Sequence, residues 1–342
     1  MTLITNHPTM VPTIIDVNEK NYPDLFWAMK GAGGGSFGVV TEMTYKIYPG
    51  YQDMNYNGIL VVELADVPQF LVLLANMDRD GKLPRQFTMI VEMYSIPGVG
   101  SQTDDDETSN DGKNNSFWLS DIGDVTAKNI KSPVAFGCAW VSKTADLVEG
   151  RKFMQETLPS IAGDRALMTV QDFPWTKNGA TGGDFPPSPP QYVECFSGFV
   201  TDATLETMTN IVQTLHAWSK EWYPIIQPDT ELWGGAISDV EANATSFPHR
   251  RAIFNVAAIV YVDVDMENSR QVFQNAVMFL KNNFHALGLN GTYSNYQQRS
   301  LSREEYPRRY FGENIERLGA IKSKYDFLNF FDYRQGIPVV PF

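Results

Sequence analysis

The tightest constraint on this chain is the stretch Lys30-Gly-Ala-Gly-Gly-Gly-Ser-Phe-Gly-Val-Val40. It joins a predicted short helix, Tyr22–Lys30, to a predicted strand, Val39–Tyr48, whose alternation of side chains has period two. Pro23 suits the first turn of that helix, and Asp24 suits its positive end. Glycines carry no Cβ, so such a loop can take positive φ and leave its amide N–H groups open to an anion, for which a diphosphate is a natural partner. The loop runs from helix to strand, whereas the dinucleotide turn runs from strand to helix. It also lacks the Gly-Lys-[Ser/Thr] of a P-loop. On composition alone, a tight turn requiring close backbone contact reads equally well.

Downstream, strands alternate with long amphipathic helices. Strands are predicted at Val11–Val17, Gly58–Leu64, Phe87–Tyr94, Val134–Val141, Tyr192–Val200, Glu231–Val240 and Arg251–Val264. Helices are predicted at Val67–Met77, Ala145–Thr157, Thr204–Glu221, Glu267–Phe284 and Arg303–Tyr325. Gly98–Asn115 is polar and acidic and reads as a loop, and Pro174–Pro190, rich in Gly and Pro, reads as an irregular excursion. A sheet of five to seven strands with helices on one face is the simplest way to bury these amphipathic faces. The class is therefore α+β, with a mainly antiparallel sheet covered by helices.

The net charge of −13 disfavours nucleic acid and anionic lipid as partners. No run of 18 apolar residues suggests a membrane span. Met1–Asp16 lacks the pattern of a signal peptide, although Asn114, Asn243 and Asn290 each begin an N-x-[ST] triplet. Cys138 and Cys195 sit in strand-like stretches and read as inert buried thiols. The scattered histidines, His7, His216, His249 and His285, do not suggest a metal site, and no hydrolase motif is present.

The segment from Asp24 to Thr41, Asp-Leu-Phe-Trp-Ala-Met-Lys-Gly-Ala-Gly-Gly-Gly-Ser-Phe-Gly-Val-Val-Thr, closely resembles a stretch of the flavin-binding domain of the vanillyl-alcohol-oxidase (PCMH-type) superfamily, in its berberine-bridge-enzyme-like branch. The C-terminal region resembles the same family: Tyr293-Ser-Asn-Tyr296, Tyr310-Phe-Gly-Glu-Asn-Ile-Glu-Arg-Leu318, and Lys322-Ser-Lys-Tyr-Asp326 followed by Asn329 and Phe331. The resemblance implies a discontinuous partial FAD-binding domain, residues 1–50 and 290–342, around a substrate-binding domain, residues 51–289. It also implies that the N-terminal half of that FAD domain, with the histidine that covalently holds the flavin in the family, is not found in this chain. His7 lies outside any such motif.

Carried over position by position, the resemblance implies cofactor contacts from Gly33, Gly34, Gly35, Ser36, Gly38, Val40, Asn295 and Asn314. It implies Tyr293 and Tyr296 on the reaction face, with packed core aromatics as the alternative. Phe247-Pro-His-Arg250 resembles a family element beside the substrate pocket, so His249, Arg250 and Trp233 are substrate-binding candidates; Arg250 could instead pair with Asp239 or Glu241. Trp175, Tyr192 and Phe247 are further aromatics expected near that pocket. The implied activity is FAD-dependent oxidation of an alcohol-type carbon of a small organic or carbohydrate substrate, with hydride passing to flavin, as in fungal secondary metabolism or oligosaccharide oxidation. Tyr296 or Tyr293 would serve as base, and Glu241 is a weaker candidate. A phenol with an ordinary pKa of about 10 needs help to act as a base. The competing expectation is a non-catalytic remnant or mis-started fragment acting as a binding module. An incomplete flavin domain would expose apolar surface and favour self-association.

Overall fold

Among the described residues, the amphipathic segments assemble into two sheets with two apolar cores. The structure, a computed structural model, describes residues 2–5, 13–46, 55–93, 130–140, 147–173 and 190–340; the polar stretch 98–115, residues 174–189, His7, Asn114 and Trp175 lie outside them. The elements in chain order are β1 (Thr2–Thr5), β2 (Thr13–Asp16), α1 (Pro23–Met29), β3 (Val39–Glu42), β4 (Asn55–Glu63), α2 (Val67–Arg79), β5 (Phe87–Met93) and β6 (Pro133–Trp140). Then come α3 (Leu147–Lys152), which continues through a π turn into α4 (Leu158–Ala162), β7 (Leu167–Phe173), β8 (Gln191–Val200), α5 (Leu205–Trp222), β9 (Ile226–Leu232), β10 (Phe254–Asp263), α6 (Ser269–Asn283), α7 (Tyr306–Phe311) and α8 (Asn314–Tyr325).

The large sheet has seven strands in the order β7-β4-β6-β5-β9-β10-β8, and its described ladders are antiparallel. One face buries Leu60, Met89, Phe136 and Val256 against Phe70 and Leu74 of α2, Ile211 and Leu215 of α5, and Leu280 of α6. Thr204 starts α5 as an N-cap, its Oγ1 accepting from the Thr207 amide at 3.1 Å. No helix among the described residues is long and apolar enough to cross a membrane.

The small sheet, β2-β1-β3, belongs to a second core in which the two ends of the chain meet. Val17, Leu25, Trp27 and Phe37 pack with Tyr310, Phe311, Leu318, Ile321 and Tyr325. Asp24 accepts from the Tyr325 hydroxyl at 2.9 Å and from Lys324 Nζ at 2.8 Å. Deeper in, Lys322 is fully buried. Its ammonium donates to the Ser36 carbonyl at 2.6 Å, to the Phe331 carbonyl at 2.8 Å and to the Asp326 carboxylate. Asp326 in turn accepts from the Phe330 and Phe331 amides, each at 2.9 Å. Burial pulls the Lys322 amine below its ordinary value, and the Asp326 carboxylate opposes that shift.

Several boundaries differ from the sequence reading. The strand expected at Glu231–Val240 is β9, Ile226–Leu232, followed by a 3-10 turn at Gly235–Ile237. Pro228 obscured it, since proline lacks the ladder donor. It is tolerated because β9 pairs with β5 only at Thr230 and Glu231, leaving Pro228 edge-like on that side. The helix expected across Arg303–Tyr325 is split into α7 and α8 at Gly312, which has φ 51°. β3 is also shorter than predicted and stops at Glu42.

Candidate active site

The glycine loop and the C-terminal aromatic stretch enclose one cavity of about 710 Å³. Its walls include Gly33, Gly34, Gly35, Ser36, Gly38 and Val40 from the loop, Tyr293 and Asn295 from the C-terminal stretch, and Trp233 and Arg250 from the middle of the chain. Gly33 and Gly35 have φ of +78° and +76°, and a Cβ on Gly33 or Gly34 would meet nothing within 4 Å, so the backbone borders open space. Gly31 differs: at φ +138°, its Cβ would lie 2.6 Å from the Phe247 amide nitrogen. Gly31→Ala is therefore expected to destabilise the protein by roughly 1–3 kcal/mol. An unchanged urea midpoint would contradict that close approach.

Beside this cavity lies a polar hub that sequence reading missed. Glu231, on β9, accepts from the Tyr296 hydroxyl through Oε1, and through Oε2 from Trp233 Nε1 at 2.7 Å and Asn255 Nδ2 at 2.9 Å. Burial first, and then the hydrogen bond to Glu231, raises the Tyr296 phenol above its ordinary value. Tyr296 is thus a protonated donor to a carboxylate. Tyr293 packs edge-on against Tyr296 and Trp233, with centroids 5.2 and 4.7 Å away, and its hydroxyl accepts from Asn295 Nδ2 at 2.7 Å. The missed signal was Asp229-Thr-Glu231, two carboxylates at period-two spacing leading into Trp233. It was hidden because the strand was expected to begin at Glu231. Glu241, the weaker candidate for a base, is exposed.

Other expected site residues sit elsewhere. His249 stacks on Phe199 at 4.5 Å, and its Nε2 contacts the Tyr310 carbonyl at 3.0 Å; it lies behind the aromatic wall rather than in it. Asn314 donates its amide to the Ala242, Thr245 and Ser246 carbonyls, holding the 242–246 turn in place. Tyr192 packs on Phe273 of α6, away from the cavity. Asp239 pairs bidentately with Arg85, so Arg250 does not use it; Arg250 instead donates to Thr245 Oγ1 at 2.6 Å and stacks over Phe247. Its Nε is buried without a hydrogen-bond partner. Cys138 is buried and Cys195 half-buried; burial, followed by the neighbouring carboxylates, pushes the Cys195 thiol up to about 11.

Burial pushes the His249 imidazole down to about 4 from 6.5. Above 6.5 it is neutral in both folded and unfolded protein. Between 6.5 and 4 only the unfolded chain takes the proton, so stability falls as the pH falls. Wild type is expected to lose about 3 kcal/mol more than His249→Gln between pH 7 and pH 4. Denaturant titrations with equal losses for both proteins would rule this out.

The α+β fold thus sets a tyrosine–carboxylate pair beside a glycine-walled cavity. Comparison with known proteins gives this arrangement a context. Residues 292–338 match the family model "Berberine and berberine like". The chain is 25% identical over 334 residues to an uncharacterised FAD-linked oxidoreductase, YgaK, of Bacillus subtilis, covering 95% of this chain and 61% of that protein. It is 57% identical over 37 residues to the FAD-linked oxidoreductase ZEB1 of Gibberella zeae, covering 11% of this chain and 6% of that protein. Its fold matches a glucooligosaccharide oxidase of Acremonium strictum with TM-score 0.71 and 18% identity, covering all of this chain and 66% of that one. The chain thus carries a berberine-like segment at residues 292–338 and is similar along most of its length to FAD-linked oxidoreductases and berberine-bridge-enzyme-like proteins. It spans about three fifths of the length of the curated full-length relatives it matches, 61% for the first two.

Proposed function

We propose that this chain forms the substrate side and part of the flavin side of an FAD-dependent oxidoreductase acting on an alcohol carbon. Residues 1–50 and 290–342 contribute the flavin-side unit, and residues 51–289 the substrate unit. The residues present fit the cofactor. The loop borders open space at Gly33 and Gly34, where no Cβ intrudes, and Arg250, in the same wall, keeps an unpartnered Nε. Gly33–Gly38, Val40 and Asn295 would hold FAD, with Arg250 offering positive charge. When bound, FAD supplies the hydride acceptor.

The chain's own residues supply proton transfer and orientation. Tyr296 Oη takes the proton of the substrate hydroxyl while its own proton passes to Glu231 Oε1, so the phenol serves as a base without ionising first. Trp233 and Asn255 hold the other carboxylate oxygen, which keeps Oε1 turned to Tyr296. Asn314 and His249 support the 242–250 wall from behind, a positioning role in place of direct contact. The observation that carries this reading is the Tyr296–Glu231 hydrogen bond beside the glycine-walled cavity. Anaerobic addition of a substrate alcohol to the flavin-loaded natural protein is expected to bleach the visible flavin band. A band unmoved by a broad panel of sugar, aromatic and allylic alcohols would count against it.

A further inference from the structure

The face of the large sheet opposite its helices carries, among the described residues, a second hollow of about 370 Å³, which shares Trp233 with the first cavity. Residues paired across antiparallel strands point to the same face. The ladders therefore define one transverse row, from Ile59 to Gly137, Ile90, Glu231 and Asn255. This row faces away from the helices, because its strand neighbours Leu60, Phe136, Met89 and Val256 are the residues in the helix-side core. With strands about 4.8 Å apart, Gly137 lies roughly 10 Å from Glu231. The row thus changes character over the width of a ring system, from aliphatic at one end to the proton-transfer pair at the other.

The middle of the row is hollowed out. Gly137 offers only hydrogen, and Ala139, cross-strand from Thr88, offers only a methyl. A glycine inside a strand weakens it, and often marks the close approach of a ligand. A Cβ on Gly137 would already stand 3.2 Å from Ile90 Cγ2. Among the described residues lining this face of the hollow, the polar side-chain groups are the Thr88 hydroxyl, the Trp233 indole N–H, which is spent on Glu231, and the Glu231 carboxylate, which already accepts three hydrogen bonds. A sugar lying here would give up water around its hydroxyls for a floor with few partners, an unfavourable exchange. A flat apolar body loses nothing polar and gains contact area.

Building on the flavin-linked oxidation reading, we propose that this hollow takes the planar apolar body of the substrate: a ring-bearing alcohol whose carbinol carbon stands at the Tyr296–Glu231 end and whose ring lies on Gly137 and Ala139. The hollow thereby selects aromatic or polycyclic alcohols over oligosaccharides.

Calorimetric titration of the full chain with 2-naphthylmethanol and with cellobiose tests this. FAD binding is scored separately on the same protein. The expected result is that naphthylmethanol binds at least tenfold more tightly than cellobiose, and that Gly137→Val and Ala139→Leu each weaken it at least tenfold in protein shown by circular dichroism to be folded. Cellobiose binding as tightly, no binding of naphthylmethanol, or affinity untouched by either substitution in folded protein would overturn the proposal. Should both variants fail to fold, the ratio of the two probes on wild type still decides. Selective, substitution-sensitive naphthylmethanol binding to a chain that takes up no FAD would leave the hollow assigned and sink the flavin reading. FAD uptake with a preference for cellobiose would do the reverse.

Discussion

Tyr296→Phe is expected to lower turnover of the flavin-loaded protein by about 10²–10⁴-fold, the usual worth of a positioned proton acceptor, with KM and flavin content little changed. The phenol cannot act as a preformed phenolate, since burial and the adjacent Glu231 both hold its proton on. It can act by relay, accepting one proton as it releases another to Oε1. Glu231→Gln removes the relay's acceptor and is expected to cost a comparable factor. Because the two groups act as a unit, the double variant should be no slower than the worse single one. Additive losses would mean that the two residues work independently. A Tyr296→Phe variant of normal turnover would move the base elsewhere, with Tyr293, which itself lines the cavity, the next candidate.

The second large effect concerns how the two ends of the chain are tied. Lys322→Met is expected to destabilise the protein by roughly 3–5 kcal/mol, because it leaves the buried Asp326 carboxylate without its cation. It also strips a donor from the Ser36 carbonyl inside the glycine loop, so flavin affinity should fall together with stability. Changing Lys322 and Asp326 together, to Met and Leu, removes the stranded charge. That double variant should recover part of the stability but not the loop contact. A single variant with an unchanged unfolding midpoint would show that Lys322 does not link the ends.

The two ends of the site were legible in the sequence because each is a local string: glycines whose missing side chains leave a concavity, and two tyrosines around one asparagine. The sheet was legible where apolar, β-branched and aromatic residues dominate a run, as in Phe87–Met93 and Phe254–Asp263. Glu231 was not legible, because Pro228 disguised its strand and its three donors come from positions 233, 255 and 296, which only register and turn geometry bring together. His249 and Asn314 were expected in the site by motif, yet their side chains hydrogen-bond to backbone carbonyls and do not line the cavity. A motif preserves which residues are near a site but not which way each side chain turns. The Lys322 contacts with Ser36 and Phe331 join backbone oxygens far apart in sequence, and no pattern of residue types announces them.

For the proposed reaction, the glycine loop must be a wall of the cavity that receives the flavin. Gly34 is the position at which to ask, since it has no positive φ and nothing lies within 4 Å of a Cβ built there. Flavin content of the purified natural protein is the measurement, taken on wild type and Gly34→Leu with thermal unfolding recorded alongside. The expected result is flavin in the wild type, loss of at least nine tenths of it in the variant, and the same unfolding midpoint in apoprotein of both. Equal flavin content in the two proteins, or a wild type that takes up none when FAD is supplied, would contradict it.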